Sequence, residues 1–182
     1  MLAKIPLTIL SLSALAAAQT IQICNQYSIY CIRMETLLPQ PGDPAVWFPP
    51  SMWYAQRWIF TDDGYLINGH SGLVLEAPVN SKGNLIKGKG LVMKEQVAGA
   101  LNQQWKFDDK KRFVSKKNES MAISGRNGVV KQAYSPLALY PANDTDPNQV
   151  FRYYGVMPQV FGTELKCKNI LGERGDGLCP NQ

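Results

Sequence analysis

An all-β fold of three repeats, each of about four short strands, with an irregular C-terminal extension, is the architecture this 182-residue sequence predicts. Three observations predict it. Gln56-Arg57-Trp58-Ile59-Phe60, Gln103-Gln104-Trp105-Lys106-Phe107 and Gln149-Val150-Phe151-Arg152-Tyr153 share one signature at a fixed spacing: Trp58 to Trp105 is 47 residues and Trp105 to Phe151 is 46. Apolar and polar residues alternate within each signature, as in a half-buried strand, and no stretch sustains a helical period. The composition, with 12 Pro, 15 Gly and 10% aromatic residues, suits a turn-rich β protein. At 45% apolar and 18% charged the chain is that of an ordinary globular protein. The net charge of +5 is too small and dispersed to indicate nucleic acid.

Met1 to Ala18 reads as a secretory signal. Lys4 gives the positive start, Ile5 to Leu15 the apolar run, and Ala16-Ala17-Ala18 the small residues of a cleavage site, so the mature chain begins near Gln19. The run is shorter than the ~20 residues that span a bilayer, and no second one follows. Removing Lys4 takes the charge from +5 to +4. The roughly 160 residues left suit one secreted, extracellular domain without a transmembrane segment.

Ile21 to Tyr54 forms the first repeat, with a strand–turn–strand at Ile23 to Ile32. After the first signature come the turn Asp62-Asp63-Gly64, a strand at Tyr65-Leu66-Ile67, the turn Asn68-Gly69-His70-Ser71-Gly72 and a strand at Leu73-Val74-Leu75. The second signature is followed by a turn at Asp108 to Lys111, a strand at Arg112-Phe113-Val114, a polar turn at Lys116 to Ser120 and a strand at Met121-Ala122-Ile123. Such units bury their apolar faces by packing around a threefold axis into a closed barrel, which also removes exposed edges. The aromatic of each signature then belongs to the core, and its Gln ties down the backbone of the preceding turn.

Cys24, Cys31, Cys167 and Cys179 are an even set without zinc spacing or a nearby His, so in an oxidising compartment they imply two disulfides. Three pairings are open. The favoured one joins Cys24 to Cys31 across the N-terminal hairpin and Cys167 to Cys179 around a C-terminal loop. Asn118-Glu119-Ser120 and Asn143-Asp144-Thr145 are glycosylation acceptors, expected on surface turns.

Three Gln-x-aromatic signatures in phase, with QRWIFTDDGYLINGHSGLVLEA and NQQW between Gln56 and Trp105, resemble the ricin B-type lectins. The resemblance is strongest from Gln56 to Phe107, legible from Arg112 to Tyr154, weak over the first repeat and absent from Gly155 onward. It implies a β-trefoil over 19–154, after a signal at 1–18 and before a disulfide-held extension at 155–182. It also implies a non-catalytic carbohydrate-binding protein, with glycans as partners, galactose-type or acidic, including cell-surface glycoconjugates, and no cofactor.

A sugar-binding repeat of that family uses a carboxylate just after the apolar third strand, an aromatic platform on the next strand, and an Asn before the signature Gln. A carboxylate accepts paired hydrogen bonds from vicinal hydroxyls, an aromatic face stacks on the C–H side of a pyranose, and an amide both donates and accepts. In the second repeat these positions fall on Glu76, Met93 and Asn102, followed by Gln103. In the third they fall on Ser124, Tyr140 and Asn148, followed by Gln149, with Asp144 and Asp146 in the adjoining loop as replacement carboxylates. The first repeat has Arg33, then Trp47 or Phe48, then Ala55. No repeat is complete, and Glu76/Asn102 and Tyr140/Asn148 are the surviving half-sites.

Other classes find less support. One His, His70 in a Gly-flanked turn, assembles no triad, and Asp62-Asp63 and Asp108-Asp109 occupy equivalent turns. The alternative to sugar binding is a trefoil scaffold for protein contacts, of inhibitor or adhesion type. Lys82, Lys87, Lys89 and Lys94, with Lys110 to Lys117, form a basic face or simply keep the turns solvated. Arg174-Gly175-Asp176, between Cys167 and Cys179, suggests cell adhesion, but three residues are a very weak motif and a Gly-rich turn explains them equally well.

Overall fold

A computed structural model describes residues 20–156 apart from 52, 129 and 131. The expected secretory signal, Cys167, Cys179, Arg174-Gly175-Asp176 and nearly all of the expected extension lie outside the described residues.

Among the described residues twelve strands alternate with turns. The first repeat holds β1 (Thr20–Asn25), β2 (Cys31–Met34), β3 (Ala45–Phe48) and β4 (Trp58–Phe60). The second holds β5 (Leu66–Asn68), β6 (Val74–Glu76), β7 (Val92–Lys94) and β8 (Trp105–Phe107). The third holds β9 (Phe113–Ser115), β10 (Asn118–Gly125), β11 (Ser135–Pro141) and β12 (Phe151–Val156). Counted this way, each signature supplies the fourth strand of its repeat, so the first repeat runs past Tyr54 to Phe60. The polar turn expected at Lys116 to Ser120 shrinks to Lys116-Lys117, because Asn118 already pairs with Ser115. β12 runs two residues beyond the expected boundary at 154, since Gly155 and Val156 pair with Ile21 and Thr20.

Six strands close a ring. β4 pairs with β5, β8 with β9 and β12 with β1. Within each repeat the first strand meets the fourth through Ile21 and Trp58, through Tyr65 and Gln104, and through the Phe151 N–H donating to the Lys111 carbonyl. The hairpins β2–β3, β6–β7 and β10–β11 stand over one end of this ring. They join each other where Pro136 meets Val46, Pro44 meets Val92 and Gly90 meets Ala138. The turns are built locally. At Asp62-Asp63-Gly64 the chain reverses through Gly64, whose φ of 87° suits glycine and whose missing side chain leaves room for the Trp105 carbonyl.

The core is a single cluster. Trp58, Trp105 and Phe151 are fully buried together, as the repeat requires. Phe151 is smaller than the two tryptophans, and Trp47 stacks on it at 5.7 Å and 16°. Phe113 packs edge-on to Phe151 at 5.4 Å. Cys24 and Cys31 are bonded to each other, directly opposite one another on β1 and β2, as the hairpin spacing led us to expect.

Candidate functional site

Strand register shows which residues of the three hairpins are equivalent. Arg33 pairs with Val46, Glu76 with Val92 and Ser124 with Ala138. Two residues further out, Cys31 pairs with Phe48, Val74 with Lys94 and Ala122 with Tyr140. Arg33, Glu76 and Ser124 are thus one set, and Phe48, Lys94 and Tyr140 are another.

Two devices hold these positions in place. Gln56, Gln103 and Gln149 are each 1% exposed and clamp the turn after β3, β7 and β11. Their side-chain nitrogens donate to the carbonyls of Pro49, Glu95 and Pro141, each at 2.9 Å. Their oxygens accept from the N–H groups of Ser51, Val97 and Asn143 at 2.6, 2.8 and 2.9 Å. Each clamped carbonyl belongs to the residue after Phe48, Lys94 or Tyr140. The second device is the indole. Trp58 Nε1 donates to the Ile32 carbonyl at 3.1 Å, and Trp105 Nε1 to the Leu75 carbonyl at 3.0 Å. Those carbonyls directly precede Arg33 and Glu76, so the core plug fixes the backbone that carries the surface residue.

The register corrects two expectations. Met93 is fully buried in the core cluster and offers no platform; Lys94 occupies that outward position. Side chains alternate along a strand, so a one-residue error exchanges inner and outer faces. For the same reason Trp47 points into the core, and Phe48 is the half-buried outward aromatic. In the second and third repeats the offset to the clamp carries this parity, since Lys94 to Gln103 and Tyr140 to Gln149 are both nine residues, whereas Phe48 to Gln56 is eight. Ser124 is fully buried, its hydroxyl without a partner among the described residues, and presents nothing to the surface. Gln149, with its amide committed to backbone, acts on the site only through its neighbours, whereas Gln103 also holds Glu76.

The second repeat gathers the best polar geometry. Glu76 is half-buried, and its Oε2 accepts from Gln103 Nε2 at 2.8 Å, leaving Oε1 open among the described residues. Asn102 Nδ2 donates to the Ala77 carbonyl at 3.2 Å, leaving Oδ1 without a partner among the described residues. In the third repeat Tyr140 is half-buried, and its hydroxyl accepts from the Asn127 N–H at 2.8 Å. Gly88 lies against this ring, and a Cβ there would sit 3.2 Å from the hydroxyl oxygen. Asn148 is more heavily engaged. Its Oδ1 accepts from the Val130 N–H at 3.0 Å, and its Nδ2 donates to Asp146 Oδ1 at 2.7 Å. Asp146 therefore does approach Asn148 from the loop. Asp144 turns away to pair with Arg112 at 2.6 Å.

Similar solved structures decide the architecture. A crystal structure of the earthworm R-type lectin C-half in complex with GalNAc aligns with a TM-score of 0.63 at 12% identity, over 74% of this chain and 97% of that one. The designed threefold-symmetric protein ThreeFoil aligns with a TM-score of 0.62 at 20% identity, over 74% and 96%. The fold is a β-trefoil. The agglutinin from Abrus precatorius matches the same trefoil with a TM-score of 0.60 at 16% identity, over 74% of this chain and 47% of that one. No protein-family model and no curated protein matches the sequence.

Elsewhere on the trefoil, the aspartate pairs take turn roles. Asp108 accepts from the Lys110 and Arg112 N–H groups and bridges Arg112 at 2.8 Å. Burial opposes the Arg112 charge, but hydrogen bonds and charges from Asp108 and then Asp144 outweigh it and raise its pKa. His70 stacks on Tyr54 at 5.2 Å. Asn118 and Asn143 are exposed, each within a local turn made by its own side chain. Lys82, Lys87 and Lys117 share a shallow groove with Asn84, Asn118 and Met121; Lys106 instead pairs with Glu119 at 2.7 Å. Among the described residues no cluster of His, Cys, Asp and Glu could hold a metal ion, and no helix is long and apolar enough to cross a membrane.

Proposed function

We propose that the chain is a secreted, non-catalytic carbohydrate-binding protein related to the ricin B-type lectins, and that it binds glycans through the outward faces of its second and third repeats. The observation that carries this reading is the pair of open acceptors on one face of the second repeat. Among the described residues Glu76 Oε1 and Asn102 Oδ1 are unengaged, while the rest of each group is fixed by Gln103 and by Ala77. Acceptors held this way receive vicinal hydroxyls without first losing conformational freedom. Tyr140 adds an aromatic face in the third repeat, suited to the C–H side of a pyranose. The solved trefoils that resemble this chain include complexes with GalNAc and with 6'-sialyllactose, which supports a sugar as the ligand class. Residues 1–18 and the Cys24–Cys31 disulfide support secretion.

A glycan array followed by calorimetry on the full chain tests this. Galactose-type sugars are expected to bind, with Glu76→Gln and Asn102→Ala each weakening the second-repeat site by about tenfold, the loss of one hydrogen bond to a charged or amide group. Tyr140→Ala should remove a separate component. Absence of any saccharide signal at millimolar ligand would reject the proposal and favour a scaffold for protein contacts.

A further inference from the structure

We infer that the first repeat carries a cationic site for the carboxylate of an acidic saccharide, centred on Arg33. This deepens the carbohydrate reading and rests on it for the ligand class, but not for the charge of the site. Arg33 stands where register places Glu76 in the second repeat, so the charge at this position is inverted. Its guanidinium carbon lies 4.4 Å from the Phe48 ring centroid and 5.8 Å from that of Tyr134. Phe48 and Tyr134 meet edge to face at 4.9 Å, so the cation is held in an aromatic corner built from two repeats. Tyr134 is 53% exposed and opens this corner to solvent.

Arg33 makes no ion pair among the described residues, and its Nε is buried without a hydrogen-bond partner. Arg112, by contrast, reaches two aspartates. An unpaired guanidinium pre-set against aromatic faces presents a donor fork that matches a planar carboxylate. The guanidinium also covers the Phe48 face on which a neutral pyranose would stack. The site therefore selects for charge instead of accepting any sugar. A negative ligand loses less to desolvation here than on a freely hydrated lysine, because the aromatic corner has already removed part of the water around Arg33. Ala55 replaces the Asn of the other repeats and is 1% exposed, so the amide contact to a ring hydroxyl is also missing here. Recognition at this site falls on the charged group.

The test is a titration of the full chain with glucuronate, glucose and inorganic sulfate, read by calorimetry and by the Arg Nε–Hε resonances in nitrogen-resolved NMR. Glucuronate should bind and shift one Arg resonance, which Arg33→Gln removes from the spectrum. That variant should weaken glucuronate at least about tenfold. Arg57→Gln is the charge-matched control, since Arg57 stacks on Tyr54 at 4.7 Å and likewise has an unpaired buried Nε. Equal binding of glucose, sulfate binding as tight as glucuronate, or equal loss in Arg57→Gln would each overturn the inference. So would loss of glucuronate binding in Lys82→Gln and Lys117→Gln with Arg33→Gln unaffected, which would move the anion to the lysine groove. Circular dichroism of each variant shows whether it folds; if Arg33→Gln does not, Arg33→Lys takes its place. That variant keeps the charge but not the fork, and full retention of carboxylate preference over sulfate would overturn the geometry. Failure of the wider carbohydrate reading looks different: galactose-type sugars would show no binding at the second and third repeats, whatever glucuronate does.

Discussion

Replacing Gln103 by Leu removes a clamp while keeping the volume of the side chain close to native. Three hydrogen bonds vanish: to the Glu95 carbonyl at 2.9 Å, from the Val97 N–H at 2.8 Å, and to Glu76 Oε2 at 2.8 Å. The two backbone bonds contribute about 1 kcal/mol each, and water reaches part of the released turn, so about 2 kcal/mol is lost there. The charge-assisted bond to Glu76 adds about 1 kcal/mol, discounted because that carboxylate is half-exposed and solvates itself once released. Gln149→Leu breaks only the backbone pair, to Pro141 and from Asn143. It should cost about 2 kcal/mol against about 3 kcal/mol for Gln103→Leu, or roughly 6 °C and 9 °C in melting midpoint for a domain of this size. Urea denaturation with unchanged m-values measures both. A double-mutant cycle with Glu76→Ala should return a coupling of about 1 kcal/mol between Glu76 and Gln103. Losses below about 0.5 kcal/mol in both single variants, or zero coupling in the cycle, would refute the clamp and its hold on the carboxylate.

Trp105→Phe leaves the buried Leu75 carbonyl without its indole donor and opens a small cavity; urea unfolding should show a loss of about 3 kcal/mol. Gly64→Ala forces a positive φ on alanine and drives its Cβ into the Trp105 carbonyl, so thermal unfolding should reveal a cost of at least about 2 kcal/mol. Arg112→Gln strips Asp108, 11% exposed, of its cation and releases Asp144, for about 2 kcal/mol by chemical denaturation. Replacing Cys24 and Cys31 together by Ala should cost about 2 kcal/mol, because the bond closes a short loop with a sequence separation of 7.

The repeat was legible because its two fixed parts impose the same chemistry three times. A buried aromatic plug and a glutamine with one donor and one acceptor cannot be exchanged freely, so Trp58, Trp105 and Phe151 appear in phase with Gln56, Gln103 and Gln149. The Cys24–Cys31 bond was legible from its hairpin. The outward positions carry no such constraint, and there reading failed by a single residue. In Leu91-Val92-Met93-Lys94 no aromatic marks the outer face, and the most ligand-like side chain, Met93, belongs to the core. The alternation of buried Leu91 and Met93 against half-buried Val92 and Lys94 shows the parity only once the strand is in place. Arg33 was visible as a mismatch, but its aromatic corner was not, because Tyr134 comes from the third repeat through the contact of β3 with β11. Asp146 and Asp144 sit two residues apart in one loop, and only tertiary contacts separate their roles.

Phe151 brings no indole N–H to the strand above it, whereas Trp58 and Trp105 do. The hairpin over Phe151 compensates with length: β10 and β11 align over five residue pairs, against three for β6 and β7 over Trp105. The repeats are therefore not interchangeable parts. Grafting the short second hairpin onto the third position would leave it with neither a donor beneath nor a long ladder beside it. Grafting the third into the second position would anchor it twice. A chain that looks threefold in outline thus holds its second and third hairpins by different means.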